Sequence, residues 1–328
     1  KGIEVRGGSV NKLDVLSRLT PQMTAVLAKQ NELASDAFAT NVGFDEMRTN
    51  YIKERVFWNE GGPVLHAVQD AVVAGPYGDI PVRYYAPSDQ SNLPCIIYIH
   101  GGGFVVGNLD THDRIMRMLA QATGAMVVGV DYHLAPEHKF PSAVIECATV
   151  ASYLHTAGAN HGINVNDISF AGDSGGAHLS LAATLYLRDE LGDNSFIKTL
   201  ILYYGWFGLK DSCSMRLLGG TWDGLTKDDW DYYIACYLSN PEDANSPYAD
   251  CLATDLTHDM PACYIAAAEF DPLKDDSTTL AAILEEHGIE YKFEIFNGVI
   301  HAFLHHSRLL DEACDALEHG ATFYREHR

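Results

Sequence analysis

The sequence predicts an α/β fold: one domain over residues 1–328, with a mostly parallel eight-stranded sheet flanked by helices. Three observations predict it. Short β-rich runs alternate with helical patterns through most of the chain. The later runs are continuously apolar, as in parallel strands covered on both faces. One long aromatic-rich segment interrupts the alternation, as an insertion over the sheet would. A chain of 328 residues is long enough to bury a core of that size.

Residues 9–40 read as helical, with Pro21 beginning a second helix because its fixed φ and missing N–H suit a first turn. From about residue 64 come the runs VLHAVQDAVVAG, IPVRYYAP, PCIIYIHG, AMVVGVDY, DISFAGDS, TLILYYG, ACYIAAAEFD and YKFEIFNG. The first two or three have no helix between them and are expected to form an antiparallel edge. Helical patterns follow in THDRIMRMLAQATG, SAVIECATVASYLHTAG, GAHLSLAATLYLRDEL, STTLAAILEEHG and SRLLDEACDALEHGATFYREH. The insertion occupies about 205–260, between TLILYYG and ACYIAAAEFD. Its Trp206, Phe207, Trp222, Trp230, Tyr232, Tyr233 and Tyr237 supply an apolar underside. Each of them either lines a site or forms a satellite core that holds the insertion down.

Composition narrows the function classes. Hydrophobic residues make up 47% and charged residues 20%, a balance typical of soluble domains. The formal net charge of −22 argues against nucleic acid and anionic membranes as partners, since both need a positive face. No apolar run reaches the ~20 residues of a membrane span. No charged-then-apolar leader opens the chain, and Lys1 is not a natural first residue, so upstream residues are expected. The seven cysteines are scattered and lack C-x-x-C spacing, which points to free thiols and a cytoplasmic location. Fifteen histidines show no H-E-x-x-H or comparable spacing, so neither metal nor organic cofactor is called for. Composition does not decide the oligomeric state, a homodimer included, or whether a regulatory protein partner exists.

The chemistry-bearing motifs follow strands. In FAGDSGGAHL, Ser174 stands in G-x-S-x-G between an apolar strand and a helix. That context matches a nucleophile elbow, a sharp turn that exposes a serine beside a helix N-terminus. HGGGF, residues 100–104, follows the strand CIIYI. This loop, His100, Gly101, Gly102 and Gly103, joins Gly175 as the candidate oxyanion site. The N–H groups of Gly102, Gly103 and Gly175 are the expected donors, and His100 orients the loop. Asp271 follows ACYIAAAEF at the strand's carboxyl end, while Asp275 and Asp276 are placed to begin or cap the next helix. His301 follows YKFEIFNG, whereas His305 and His306 fall in a later helix, too far along to reach back over the sheet edge. The resulting order is Ser174, Asp271, His301, each at the carboxyl end of a strand.

Together, HGGGF, GDSGG, DPL and IHAF resemble the hormone-sensitive-lipase-like esterases of the α/β-hydrolase fold. The similarity extends through HGGGFVVGNLDTHDRIMRMLA, DYHLAPEHKFP and RLLGGTWDGLT, from about residue 50 to the end. The resemblance implies hydrolysis of short-acyl esters, acetyl to butyryl, through a Ser174–His301–Asp271 triad with no cofactor. It also implies a helical cap, contributed here by about 1–50 and 205–250. Two departures are Gly175, where the family often has alanine, and His133, where many relatives have arginine. Amide or carbamate hydrolysis on the same residues is one alternative. A non-catalytic relative that binds a ligand or a protein is the other.

Overall fold

The computed structural model describes residues 11–328. The first ten residues of the expected N-terminal helices and cap therefore lie outside the described residues.

A 3-10 turn over Leu16–Arg18 precedes helix α1 (Pro21–Leu33), whose first turn is closed by Thr20 Oγ1 accepting the N–H of Met23 at 3.1 Å. Pro21 begins a helix as expected, but among the described residues it is the first and not the second: the stretch before it holds only the 3-10 turn, and residues 34–40 expected to be helical are not. Helix α2 (Phe44–Asn59) was not anticipated from the sequence. Its buried Met47, Tyr51, Glu54, Arg55 and Trp58 recur at helical spacing. Four of these, Tyr51, Glu54, Arg55 and Trp58, carry polar atoms, which blurs the apolar stripe.

Eight strands follow: β1 (Ala67–Val73), β2 (Ile80–Ala86), β3 (Leu93–Ile99), β4 (Met126–Val130), β5 (Ile163–Asp173), β6 (Ile197–Tyr203), β7 (Ala262–Ala268) and β8 (Tyr291–Phe296). They form one sheet in the order β1-β2-β4-β3-β5-β6-β7-β8. Only β1–β2 and β2–β4 pair antiparallel, so the antiparallel edge comprises the first two strands and excludes the third. Strand β3 lies between β4 and β5 and is parallel to both. Its residues explain the placement: Cys95, Ile97 and Ile99 face one core, Ile96 and Tyr98 the other, and all five are fully buried. A strand apolar on both faces belongs inside a sheet.

Helices cover both faces. α4 (Ser142–Ala157) and α5 (Gly175–Asp189) pack together on one side, α3 (Asp113–Thr123) and α9 (Asp311–His327) on the other. The insertion between β6 and β7 carries two short helices, α6 (Cys213–Leu217) and α7 (Lys227–Tyr237). A capping box between Thr226 and Asp229 starts α7. α8 (Lys274–Glu286) follows β7. Among the described residues, no helix is long and apolar enough to cross a membrane.

Candidate active site

Strand β5 ends at Asp173 and α5 starts at Gly175, which leaves Ser174 alone on the turn between them. Its φ of 53° and ψ of −118° are a left-handed conformation costly for a residue with a side chain. The turn is tight because α5 enters against β3: a Cβ on Gly176 would lie 1.8 Å from the carbonyl oxygen of Ile99. Only glycine permits that approach.

Asp271 and His301 lie in the loops after β7 and β8. Ser174 Oγ is 2.9 Å from His301 Nε2, and His301 Nδ1 donates to Asp271 Oδ2 at 2.7 Å. The other oxygen of Asp271 accepts the N–H of Leu273 at 2.8 Å, so this fully buried carboxylate is held on both sides. Burial pushes the His301 imidazole down, but the charge and hydrogen bond of Asp271, with Asp223 and Asp173, outweigh it and the net shift is upward. The three residues thus form a hydrogen-bonded chain able to withdraw the serine proton.

Gly102, Gly103 and Gly175 line the same cavity as Ser174 and His301. Gly102 has φ 132°, and a Cβ there would lie 2.0 Å from the carbonyl oxygen of Val106, so the loop needs glycine. Gly175 holds the first amide of α5, which has no intrahelical acceptor. Two of the candidate oxyanion residues stand elsewhere. The N–H of Gly101 is taken by Asp173 Oδ1 at 3.1 Å and cannot serve an oxyanion. His100 is buried behind the loop, its Nδ1 on the Gly101 carbonyl at 2.8 Å and its ring stacked on Tyr132. It braces the loop without reaching the cavity.

Asp173 was missed in the sequence. It also accepts from Tyr98 Oη at 2.7 Å and His112 Nε2 at 3.0 Å. Burial opposes its ionisation, but His112 and His305 prevail and hold the carboxyl well below the usual range. A carboxylate ending an apolar strand was the available signal, since a charge buried there requires donors. The ligand atoms of His112, Asp173 and His305 lie within 4.8 Å of one another, a metal-like grouping invisible in sequence spacing. Here the two histidines serve the carboxylate.

His305 departs from its expected place. A 3-10 turn over Phe303–His306 folds it back to line the cavity, its Nε2 3.7 Å from Asp173 Oδ2. Asp275 and Asp276 sit in the first turn of α8 but do not cap it. Their carboxylates accept the N–H groups of Ser214 and Gly208, both at 2.8 Å, and tie the insertion to the body. Burial pushes the Asp276 carboxyl up to about 7. His133 binds Glu146 on α4, away from the serine.

The remaining walls come from Ala37, Phe38, Met47, Tyr51 and Arg55, and from Trp206, Asp223, Leu225 and Tyr233 of the insertion. A Cβ on Gly103 would meet the Tyr233 ring at 2.5 Å, so α7 closes directly over the glycine loop. Of the seven insertion aromatics named above, Trp206 and Tyr233 line the cavity. Phe207, Trp230 and Tyr237 are buried in the core. The cavity measures about 80 Å³.

Sheet order, serine turn and loop together define a class, the α/β hydrolases. A family model described as alpha/beta hydrolase fold matches residues 96–305. Over 314 residues the chain is 45% identical to an acetyl esterase of Salmonella typhi, covering 96% of each protein. An acetyl esterase of Salmonella paratyphi B matches equally, at 45% over 314 residues. Among solved structures, a hyperthermophilic esterase of the archaeon Pyrobaculum calidifontis superposes with TM-score 0.88 at 33% identity, covering 94% of this chain and 98% of that one. The metagenomic carboxylesterase EstE1 superposes with TM-score 0.81 at 27% identity, covering 87% and 97%. The chain belongs to the α/β-hydrolase family and, within it, to the hormone-sensitive-lipase-like esterases related to acetyl esterase.

Proposed function

We propose that the protein hydrolyses short-acyl esters, acetyl to butyryl, through Ser174, His301 and Asp271. The observation that carries this reading is the continuous chain from Ser174 Oγ through His301 to Asp271, at 2.9 and 2.7 Å. His301 Nε2 takes the serine proton as Oγ attacks the ester carbonyl carbon. Asp271 holds the tautomer and stabilises the imidazolium. The N–H groups of Gly102, Gly103 and Gly175 hold the tetrahedral oxyanion; one such donor is worth ~3 kcal/mol to the transition state. Collapse returns the proton from His301 to the departing alcohol and leaves an acyl-serine. Water, deprotonated by His301, then releases the carboxylic acid. No step calls for a metal or organic cofactor.

Residues of about 37–55 and 206–233 act as a cap that closes the site over a small ester. The net charge of −22 supports a small-molecule substrate over nucleic acid or an anionic membrane surface. A cytoplasmic location is supported by seven cysteines that are all free. Hydrolysis of 4-nitrophenyl acetate by the purified chain, abolished in Ser174→Ala, tests the reading.

A further inference from the structure

Asp223 sits on the turn between α6 and α7, with one carboxylate oxygen committed and one not. Oδ1 accepts the N–H groups of Gly220 and Leu225, both at 3.0 Å, and holds the turn in shape. Oδ2 is buried and has no hydrogen-bond partner among the described residues. The residue is 9% exposed and lines the cavity of Ser174 and His301. Leaving a buried charged acceptor unpaired is costly, and a group that supplies a donor recovers that cost.

Arg55 of α2 is the complement in the same cavity. Its guanidinium lies over the rings of Phe38 and Tyr51, with Nε 3.1 Å from Glu54 Oε2 and Nη1 3.5 Å from His306 Nε2. A guanidinium has five N–H donors, and these neighbours leave some of them over. Uncommitted acceptor and uncommitted donors therefore share one cavity. A neutral hydroxyl, which both donates and accepts, matches that pair. A cation would meet Arg55, and an anion would meet Asp223 and Asp173.

The proton-transfer geometry says which half of the ester these groups meet. His301 returns its proton to the alcohol oxygen, so the alcohol lies against His301. Asp223 and Arg55 line the same cavity as His301. Burial holds the Asp223 carboxyl up at about 6, so it is mainly ionised at neutral pH.

We propose that Asp223, with Arg55, recognises free hydroxyl groups on the alcohol half of the ester, which makes acetates of polyols and sugars preferred over acetates of plain alkanols. The proposal rests on the esterase reading above. It makes Asp223 a specificity residue and leaves the triad chemistry as described.

The test compares kcat/KM for glycerol monoacetate with that for propyl acetate, a matched pair differing in hydroxyl groups. The parent protein should favour glycerol monoacetate about tenfold or more, the range for hydrogen bonds to a charged group. Asp223→Asn keeps an oxygen for Gly220 and Leu225 but replaces the charged free acceptor with a neutral donor, and should lower the ratio several-fold. Equal rates in the parent, or an unchanged ratio in the variant, would overturn the proposal while the esterase reading stands. Acetylcholine turning over faster than glycerol monoacetate would overturn it in favour of cation recognition. Failure of the parent to cleave 4-nitrophenyl acetate would sink the esterase reading, and the proposal with it. The parent alone gives a second readout that does not depend on the variant folding. Free glycerol should inhibit 4-nitrophenyl acetate hydrolysis at lower concentration than 1-propanol does, and the reverse order would count against the proposal.

Discussion

The carboxylate of Asp173 accepts the backbone N–H of Gly101 at 3.1 Å, which joins the residue before Ser174 to the glycine loop facing it. Ser174 and the loop come from different strands, β5 and β3, and in the proposed mechanism their spacing sets whether an oxyanion formed on Ser174 reaches the loop amides. The same carboxylate gathers Tyr98 and His112, so one buried charge organises both halves of the site.

Asp173→Ala should therefore leave three buried donors unpaired and cost ~3–5 kcal/mol of stability at neutral pH. The sign of its pH dependence follows from the depressed carboxyl of the folded state. That contribution is full above the unfolded pKa near ~4 and disappears as pH falls toward the folded value. Urea unfolding of parent and variant should show the largest gap near pH 7 and a shrinking one below ~pH 4. A constant gap across that range would mean that the lost stability is packing and not charge.

Ser174→Ala should abolish labelling by a fluorophosphonate probe and lower kcat by ~10⁵-fold or more, since triad members act as a unit. Its thermal transition should stay within a few degrees of the parent, because the hydroxyl's side-chain partner is His301. Labelling of another serine would remove Ser174 from the mechanism.

The acid limb of kcat/KM should lie above the ordinary histidine value of ~6.5, because Asp271 more than offsets burial at His301. Only the neutral imidazole accepts the serine proton, so activity falls as pH drops through that raised value. In Asp271→Asn the rate should fall by orders of magnitude. With the raising charge gone and burial remaining, the residual activity should show its acid limb at lower pH. Asp275→Asn, whose native carboxylate binds Ser214 of the insertion, should keep the parent profile. An acid limb at the same pH in Asp271→Asn and in the parent would dissociate Asp271 from the base.

Acyl length should be limited by the closed walls. Each added methylene gains ~0.8 kcal/mol only while it finds apolar room. With Trp206, Tyr233, Phe38 and Tyr51 among the lining side chains, that room ends quickly. Specificity constants over 4-nitrophenyl esters should peak between acetyl and butyryl and drop steeply by octanoyl, without activation at a lipid–water interface. Removal of residues 1–45 should cut activity by opening the cavity at Phe38. A profile that climbs through decanoyl would point to an open, lipid-facing groove.

His305→Ala separates a wall residue from a base. It should lower activity less than His301→Ala and leave fluorophosphonate labelling of Ser174 intact, because Oγ is paired with His301. A greater loss than in His301→Ala would reassign the base.

Short-range patterns by themselves determined the eight strand segments, the start of α1 at Pro21, and the order Ser174, Asp271, His301 after three strand ends. These are legible because the signals are local: apolar runs, a turn that demands glycine, a residue directly past a strand. Tertiary structure alone decided the rest. Strand β3 lies inside the sheet and not at its edge because both its faces needed covering. Gly101 gave its amide to Asp173, and His305 returned to the cavity, through contacts between residues far apart in the chain. Arg55 and Asp223 came to one cavity from segments more than a hundred residues apart, each left with polar capacity that local sequence cannot reveal. Whether a buried polar group is satisfied depends on every element packed around it, and that is settled only when the chain has folded.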